Sequence, residues 1–209
     1  MAYRLFLRES FRTIRTTASV FPSSRFLATA MLEHVDFANV RTMVELGSGT
    51  GAITGEILRR MRPDARLFAF EINRHFVEHL EETFPDPRLH IVPGDAEDLS
   101  RHLRSLGVAA AEVVISSLGL TGMKAEQRQR IICQVKACLS PRGVLTQYQY
   151  LTSQPAIPDV RYLFTGFQEK QFLESYFPTV RVKRVLLNLP PAEVYTCRKD
   201  VHARRNGKR

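Results

Sequence analysis

Apolar and polar residues alternate along residues 40–150 in a pattern that predicts five strands separated by helices. The strand-like runs occupy 41–46, 66–71, 88–92, 112–117 and 143–149. Runs with helical periodicity lie between them, near 52–61, 74–83, 97–105 and 124–139. Strands that alternate with helices in this way favour an α/β fold, with a parallel sheet covered by helices on both faces.

The pattern changes after Tyr150. A proline-containing stretch precedes a short helix that the sequence predicts near 168–175. Two β-rich runs, 179–188 and 193–198, then stand on either side of Pro190-Pro191. Because proline cannot donate to a strand ladder, the two prolines separate the runs, and the chain is predicted to end in a hairpin-like pair of strands.

The N-terminal residues 3–18 carry two neighbouring stripes at helical spacing. One stripe is apolar and the other is made of arginines: Tyr3, Leu7, Phe11, Ile14 and Ala18 against Arg4, Arg8, Arg12 and Arg15. A helix of this kind can lie in a membrane interface, with its guanidinium groups on lipid phosphates. Two other interpretations stay open, namely a helix packed on its own domain and an RNA-binding arm.

Composition narrows the class of protein. The 209 residues suffice for one domain with a proper core, and no apolar run is long enough to span a bilayer. Three scattered cysteines and the lack of a signal-peptide pattern predict a reduced, cytoplasmic protein. A net charge of +9 favours an anionic partner, either nucleic acid or an acidic membrane surface, although an ordinary basic protein would carry it too.

The most specific chemistry lies in Met43–Gly51. Apolar residues lead to Glu45, and Gly47, Gly49 and Gly51 follow at alternate positions. Glycines suit a loop that turns sharply from a strand into a helix and lets a ligand approach the backbone closely, which a Cβ would obstruct. The run therefore predicts a nucleoside-binding loop between the first strand and the first helix of the sheet.

Two further acidic residues follow the next two strands. Glu71 ends the second strand and can accept hydrogen bonds from both ribose hydroxyls, whereas Asp95 ends the third and can accept one from an adenine amino group. Glu45 can face a methionine ammonium group. The remaining candidates for contact with the cofactor are Ser48, Thr50, Ile72, Ala96 and Ser116.

A dinucleotide is the main competitor for this pocket. Gly47, Gly49 and Ala52 match Gly-x-Gly-x-x-Gly/Ala, and Glu71 would serve the ribose of NAD equally well. Two features favour the sulfonium cofactor: Gly94-Asp95-Ala96 closes the third strand, and Glu45 would repel an anionic pyrophosphate but attract a cationic sulfonium amino acid. The pattern thus predicts S-adenosylmethionine as cofactor and S-adenosylhomocysteine as product.

A second motif carries less weight. His75, Glu78 and His79 match the His-x-x-Glu-His spacing of an inverted zinc-protease motif. Phe76 and Val77 are predicted to turn this helix toward the sheet, and a third ligand is not evident. No metal is predicted.

The glycine loop with Glu71 and Asp95 resembles the class I, seven-stranded S-adenosylmethionine-dependent methyltransferases over about residues 40–150. That resemblance implies a Rossmann-like sheet in which an antiparallel strand lies beside the last parallel one. Residues 179–198 would supply this pair.

A narrower resemblance spans nearly the whole chain. Phe6–Phe11, Thr16–Ala28, Gln147–Tyr150 and Asn188–Tyr195 are similar to bacterial phospholipid N-methyltransferases. The resemblance implies methylation of the amine of phosphatidylethanolamine, in up to three steps, toward phosphatidylcholine. It also implies a membrane-associating N-terminal helix, and we expect a monomer bound peripherally to the inner face of the cytoplasmic membrane.

One departure affects the acceptor. The family often has Ser-x-Leu-Pro after the fourth strand, whereas this chain has Ser116-Ser117-Leu118-Gly119. Glycine in place of proline loosens the loop, so head-group choice and the number of methylations stay open. Enzymes that methylate base amino groups usually carry Asn/Asp-Pro-Pro-Tyr here, and this loop has neither the amide nor the aromatic ring, so nucleic acid is an unlikely acceptor.

The acceptor amine is largely protonated near neutral pH and must lose a proton before methylation. Tyr148 is the first candidate to contact the amine and Tyr150 the second, while Gln147 and Ser117 could orient the head group. Candidates for contact with the lipid lie in the N-terminal helix: Arg4, Arg8, Arg12, Arg15, Leu7 and Phe11.

The predicted organisation has three parts. Residues 1–30 form the membrane-associating helix and a cofactor lid, 31–200 the methyltransferase domain, and 201–209 a basic disordered tail. An rRNA adenine dimethylase and a non-catalytic module that binds membrane or RNA on the same fold are the alternatives.

Overall fold

A computed structural model describes residues 25–151 and 168–199. The predicted N-terminal helix 3–18 and the tail 201–209 lie outside the described residues. The helices are α1 (Arg25–Leu32), α2 (Ala52–Arg60), α3 (Arg74–Thr83), α4 (Leu99–Ser105), α5 (Ala125–Cys138) and α6 (Glu169–Glu174). The strands are β1 (Thr42–Leu46), β2 (Arg66–Glu71), β3 (Leu89–Pro93), β4 (Ala111–Ser116), β5 (Leu139–Tyr150), β6 (Thr179–Val185) and β7 (Ala192–Arg198).

The strands form a seven-stranded sheet in the order β3-β2-β1-β4-β5-β7-β6. Strands β1 to β5 pair in parallel, and β7 is antiparallel to both β5 and β6. This confirms the predicted α/β class, with its seven strands and its antiparallel strand beside the last parallel one. The register places Leu46 beside Ser116, and Ser116 beside Gln147, so the carboxyl ends of β1 and β4 are level with the last third of β5.

Two apolar layers cover the sheet. One contains α1 and α2, whose Leu27, Met31 and Ile57 pack with Met43 of β1. The other contains α4, α5 and α6, which contribute the buried residues Leu99, Leu103, Ile131, Val135 and Leu173. Burial of these side chains on both faces supplies the hydrophobic stabilisation and fixes which strand residues point to which layer.

Helix α1 bears on the predicted domain boundary. Leu27, Ala28 and Met31 are buried against the layer of α2, so residues 25–30 pack on the sheet. The boundary at residue 30, with a separate N-terminal lid before it, stays a prediction because residues 1–24 are not described. Within the described ranges, no helix has both the length and the apolar character needed to cross a bilayer.

Two strand boundaries differ from the sequence prediction. Strand β5 begins at Leu139, directly after α5, rather than at residue 143. Pro141 and Gly143 lie in a bulge of this strand: Leu139 pairs with Ala111, but pairing with β4 becomes regular only from Val144, and a Cβ on Gly143 would stand 3.0 Å from the carbonyl oxygen of Ser140. Strand β6 ends at Val185 rather than at residue 188, because Leu186 and Leu187 form a turn.

Candidate cofactor and acceptor site

The loop between β1 and α2 depends on three glycines with positive φ: 74° at Gly47, 53° at Gly49 and 80° at Gly51. A Cβ on Gly51 would stand 2.2 Å from Cε2 of Phe84, so the end of α3 fits directly against this glycine. Around Gly49, in contrast, no atom of the described residues beyond its two chain neighbours lies within 4 Å of the position of a Cβ. The middle of the loop therefore borders open space, which a ligand could occupy.

Glu71 holds this loop at the end of β2. Its two carboxylate oxygens accept hydrogen bonds from the N–H of Gly49 and of Asn73, both at 2.8 Å. Burial raises the pKa of Glu71, and the two N–H groups oppose that rise by stabilising the charged form. Each oxygen keeps capacity for a second hydrogen bond, as a ribose hydroxyl would require. The next residue, Ile72, has 60% of its surface exposed.

Glu45 is fully buried on β1. Its Oε2 accepts a hydrogen bond of 2.7 Å from the hydroxyl of Thr54 on α2, whereas Oε1 has no partner among the described residues. Burial raises the pKa of Glu45 to about 8, and the nearby Glu71 adds to the rise. A buried carboxylate with an unpartnered oxygen is unfavourable in the protein alone, and a cation beside it would relieve this.

The other predicted cofactor contacts lie along the same edge of the sheet. Asp95 follows β3, and its side chain accepts the N–H of Glu97 at 2.9 Å at the start of a short 3₁₀ helix that contains the buried Ala96. Ser48 is buried, and its N–H donates to the carbonyl of Phe70. Thr50 is half-buried within the loop, and Ser116 is buried at the end of β4.

The loop after β4 connects the glycines to β5. The N–H of Ser117 donates to the carbonyl of Leu46 at 2.8 Å, and its buried hydroxyl has no hydrogen-bond partner in the described part of the chain. Leu118 lies close to Gly47, since a Cβ there would be 3.1 Å from Cδ2 of Leu118. The side-chain nitrogen of Gln147 donates to the carbonyl of Leu118 at 2.8 Å. The glycine loop, the loop after β4 and Gln147 are thus in continuous contact.

Sequence analysis missed Glu169, at the start of α6. This glutamate is 2% exposed, and the amide of Gln147 lies beside its carboxylate. Burial raises the pKa of Glu169 to about 8, opposed by Gln147 and Arg128 and reinforced by Glu193. Nothing in a six-residue helix after a proline-containing stretch distinguishes a buried glutamate from an exposed one, and only its spatial proximity to Gln147 identifies it.

Gln147 and Glu169 leave two buried acceptors together. Oε1 of Gln147 and Oε1 of Glu169 both lack a hydrogen-bond partner within the described ranges. With its pKa raised to about 8, Glu169 holds a proton near neutral pH in the protein alone, whereas a cation beside it would favour the carboxylate, whose oxygens only accept hydrogen bonds, as the amide oxygen of Gln147 does. A ligand with several N–H donors, such as a primary ammonium group, would satisfy both.

The two tyrosines lie on the other face of β5. Tyr148 is buried in the layer of α1 and α2, and its ring meets that of Tyr150 edge-on at a centroid distance of 5.2 Å. Residues of a strand alternate between its faces, so Tyr148 and Tyr150 point away from Gln147 and Gln149. The structure therefore brings Gln147 and Ser117 together but places the two predicted catalytic tyrosines in a separate cluster.

Two sets of predicted residues remain, the candidate lipid contacts and the histidines of the zinc-like motif. The candidate lipid contacts lie outside the described residues: Arg4, Arg8, Arg12, Arg15, Leu7 and Phe11. His75 and His79 lie on α3, whose Phe76 and Val77 are buried as expected. Within residues 25–151 and 168–199, no three histidine, cysteine or acidic side chains are grouped closely enough to hold a metal ion.

The pocket at this edge fits S-adenosylmethionine. Open space beside Gly49, an exposed Ile72 for an adenine ring, Glu71 for a ribose and the orphaned oxygen of Glu45 for an ammonium group suit the parts of that molecule. A seven-stranded sheet with these groups at the carboxyl ends of β1 and β2 defines the class I methyltransferase fold.

Comparison with known proteins agrees with this class. Residues 43–143 match the family described as "Methyltransferase domain". An ornithine lipid N-methyltransferase of Singulisphaera acidiphila is 32% identical over 195 residues, which cover 93% of this chain and 94% of the relative. The chain therefore belongs to the S-adenosylmethionine-dependent methyltransferases.

Solved structures support the fold. The 1,6-didemethyltoxoflavin-N1-methyltransferase of Burkholderia thailandensis, which holds S-adenosylhomocysteine, has a TM-score of 0.64 at 17% identity and covers 95% of this chain and 89% of its own. A putative O-methyltransferase of Klebsiella pneumoniae has a TM-score of 0.61 at 14% identity, covering 94% and 89%. Because the chain belongs to the S-adenosylmethionine-dependent methyltransferases, S-adenosylmethionine is its methyl donor.

Proposed function

We propose that this methyltransferase methylates the amine of a membrane lipid, with phosphatidylethanolamine and its mono- and dimethyl forms as acceptors. The observation that carries the proposal is the relative named ornithine lipid N-methyltransferase, which matches nearly the whole chain. Phosphatidylethanolamine and an ornithine lipid share the reacting group, an aliphatic amine next to a lipid body. The proposed location is peripheral, on the anionic inner face of the cytoplasmic membrane.

Binding of an ammonium group is the first task of the site. A primary ammonium carries three N–H donors, and Gln147 and Glu169 offer two buried oxygens without partners. Because Glu169 lies in a low-dielectric environment, its carboxylate attracts a cation far more strongly than an exposed carboxylate would. These two residues would hold the amine next to the loop after β4.

Removal of a proton is the second task. Aliphatic amines have pKa values of about 10, so the acceptor arrives protonated. With its pKa raised to about 8, Glu169 is a better proton acceptor than an ordinary glutamate. The ammonium N–H proton passes to a carboxylate oxygen of Glu169 and leaves a neutral amine with a free electron pair. When bound, S-adenosylmethionine supplies a methyl group that its sulfonium charge already activates for transfer.

A labelled-methyl assay tests the acceptor. The full chain is incubated with methyl-labelled S-adenosylmethionine and one of three acceptors: vesicles with phosphatidylethanolamine, vesicles with ornithine lipid, or rRNA. Label in the phosphatidylethanolamine arm is expected. Label in the ornithine lipid arm alone would support methylation of a lipid amine but reject phosphatidylethanolamine as the acceptor. Label in RNA alone would reject the whole proposal.

The RNA arm addresses a local similarity. An rRNA methyltransferase of Streptomyces thermotolerans is 48% identical over 54 residues, but these are 25% of this chain and 17% of that protein. Ser117 and Leu118 follow β4 in the place where base-methylating enzymes need a polar amide and an aromatic ring. The lipid remains the better-supported acceptor.

Glu169→Gln tests the proposed role of the carboxylate. The variant should lower turnover on the lipid at least tenfold, as expected when a positioned proton acceptor is lost, and should leave S-adenosylhomocysteine affinity unchanged. Glu174→Gln is the matched control, because Glu174 lies on the same helix but pairs at the surface with Lys170 at 3.5 Å. Turnover of Glu169→Gln equal to that of the control would remove Glu169 from the reaction.

A further inference from the structure

The turn between β6 and β7 exposes three leucines. Leu186, Leu187 and Leu189 have 69%, 74% and 81% of their surface accessible, the highest values among the large apolar residues of the described chain. Between them Asn188 is buried, and its side-chain nitrogen donates to the carbonyl of Pro190 at 2.6 Å. The leucines are therefore held outward by a turn with its own internal support.

This leucine turn, Leu186–Leu189, lies at the edge of the sheet that carries the site. Strand β7 starts at Ala192, which pairs with Tyr150 at the end of β5. The N–H of Leu151 donates to the carbonyl of Pro191 at 2.6 Å, which ties the base of the turn to the residues that follow β5. A membrane or protein that binds these leucines would therefore lie against the same end of the sheet as Gln147 and the glycine loop, at the carboxyl ends of the parallel strands.

We propose that the leucine turn inserts into the hydrocarbon of an anionic membrane. Insertion would hold the end of the sheet that carries the proposed acceptor site, Gln147 and Glu169, against the bilayer. The proposal rests on the proposed lipid acceptor for its purpose, but it concerns a separate surface. A single turn is far smaller than the roughly 800 Å² that each partner of a stable protein complex contributes, whereas a few apolar side chains suffice for partition into a membrane.

The charge beside the turn fits anionic head groups. Strand β6 leads into the turn and exposes Arg181, Lys183 and Arg184. Lys183 and Arg184, nearest the turn, pair with Glu33 and Glu193, while Arg181, further back along β6, forms no ion pair with any described residue. Positive charge next to exposed apolar residues is typical of proteins that lie in a membrane interface.

A fluorescent probe reports insertion directly. Bimane is attached to Leu187→Cys in a Cys133→Ser background, since Cys138 and Cys197 are buried and Cys133 is exposed. The control places the probe at Leu106→Cys. Leu106 is 43% exposed and precedes β4, so it lies at the amino ends of the parallel strands, away from the leucine turn. With vesicles of phosphatidylglycerol and phosphatidylcholine, the probe at 187 should shift to the blue and be quenched by brominated acyl chains. The probe at 106 should not respond.

The affinity for vesicles gives the magnitude. Combining Leu187→Ser with Leu189→Ser should weaken binding at least tenfold, because burial of each leucine in hydrocarbon contributes roughly tenfold or more. Leu106→Ser should bind like the unmodified protein. An unresponsive probe at 187, or equal binding of the double variant and the control, would overturn the proposal, and so would a response caused by protein dimers without vesicles.

The same variants separate this inference from the proposed function. The vesicles above contain no amine acceptor, so probe insertion does not depend on methylation. On short-chain phosphatidylethanolamine below its micelle concentration, the double variant should methylate at the unmodified rate, and on vesicles it should methylate at least tenfold more slowly. If the probe inserts but no lipid is methylated, the proposed lipid acceptor is rejected and the proposed insertion of the leucine turn stands.

Discussion

Glu45→Gln should make the protein without cofactor more stable, and increasingly so as the pH rises. The pKa of Glu45 is raised from 4.5 to about 8 in the folded protein, mainly by burial. Between these values the folded protein keeps a proton that the unfolded chain releases, so the free energy of unfolding falls as the pH rises. Glutamine has nearly the same shape and stays neutral, so the variant escapes this loss.

The magnitude follows from linkage. Each pH unit within the window changes the free energy of unfolding by up to about 1.4 kcal/mol. Pure linkage therefore gives an advantage of about 3 kcal/mol to the variant at pH 7 and almost none near pH 4.5. Relaxation of the buried site would reduce the slope but not its sign.

Urea unfolding at pH 5, 6, 7 and 8 measures this slope. Glu56→Gln is the control, because Arg59 and Arg60 lower the pKa of Glu56 to about 2. That carboxylate stabilises the fold above pH 4.5 and loses its contribution only as the pH falls toward 2, so the control should be less stable than the parent by a constant amount from pH 5 to 8. A constant difference for Glu45→Gln would refute the interpretation of Glu45 as a buried titrating group.

Cofactor binding gives a second readout for Glu45. An ammonium group beside the unpartnered oxygen favours the charged carboxylate, so binding of S-adenosylhomocysteine should release a proton near pH 7. Calorimetry in buffers of different ionisation enthalpy detects this proton. Glu45→Gln should release none and bind more weakly.

Three further substitutions test the glycine loop and the end of β5. Gly51→Ala should lower the free energy of unfolding by about 2–4 kcal/mol in denaturant titrations, since it combines positive φ with overpacking against Phe84. Gly49→Ala should cost about 1 kcal/mol, because its Cβ contacts no described residue beyond its chain neighbours, and it should weaken S-adenosylhomocysteine binding. A larger loss of stability in Gly49→Ala than in Gly51→Ala would contradict this assignment of open space. Tyr148→Phe should keep turnover near that of the unmodified protein, because Tyr148 lies in the layer of α1 and α2 and points away from Gln147; a loss of tenfold or more would return the amine contact to its hydroxyl.

Local patterns determined the parts of the fold that the sequence predicted well. The alternation of strands and helices and the glycines after β1 depend on neighbours in sequence, and the structure has them where they were expected. The assigned start of β5 lies four residues before the predicted one, because Leu139 pairs with Ala111 ahead of a bulge. Regular pairing starts at Val144, next to the predicted start, so Pro141 and Gly143 follow their local preference for a turn.

The leucine turn was also misjudged, for a different reason. Leu186 and Leu187 continue the β-rich pattern of β6, so hydrophobicity alone extended the strand to residue 188. A leucine that packs in a core and a leucine that faces outward have the same sequence signature. Only the structure shows that Val185 is buried while the next two residues are exposed.

Burial of acidic residues connects the two halves of the site. Glu45 lies on the α2 side of the sheet and Glu169 on the α5 and α6 side, and each is a buried carboxylate with one oxygen unpartnered in the described structure. Each of these glutamates raises the free energy of the folded protein near neutral pH. Neutral side chains at the same two positions would give a more stable core. The donor and the proposed acceptor both carry an ammonium group, and each would restore a partner to one of these carboxylates. In a chain with a net charge of +9, the buried acids thus give the two substrates separate sites that favour cations.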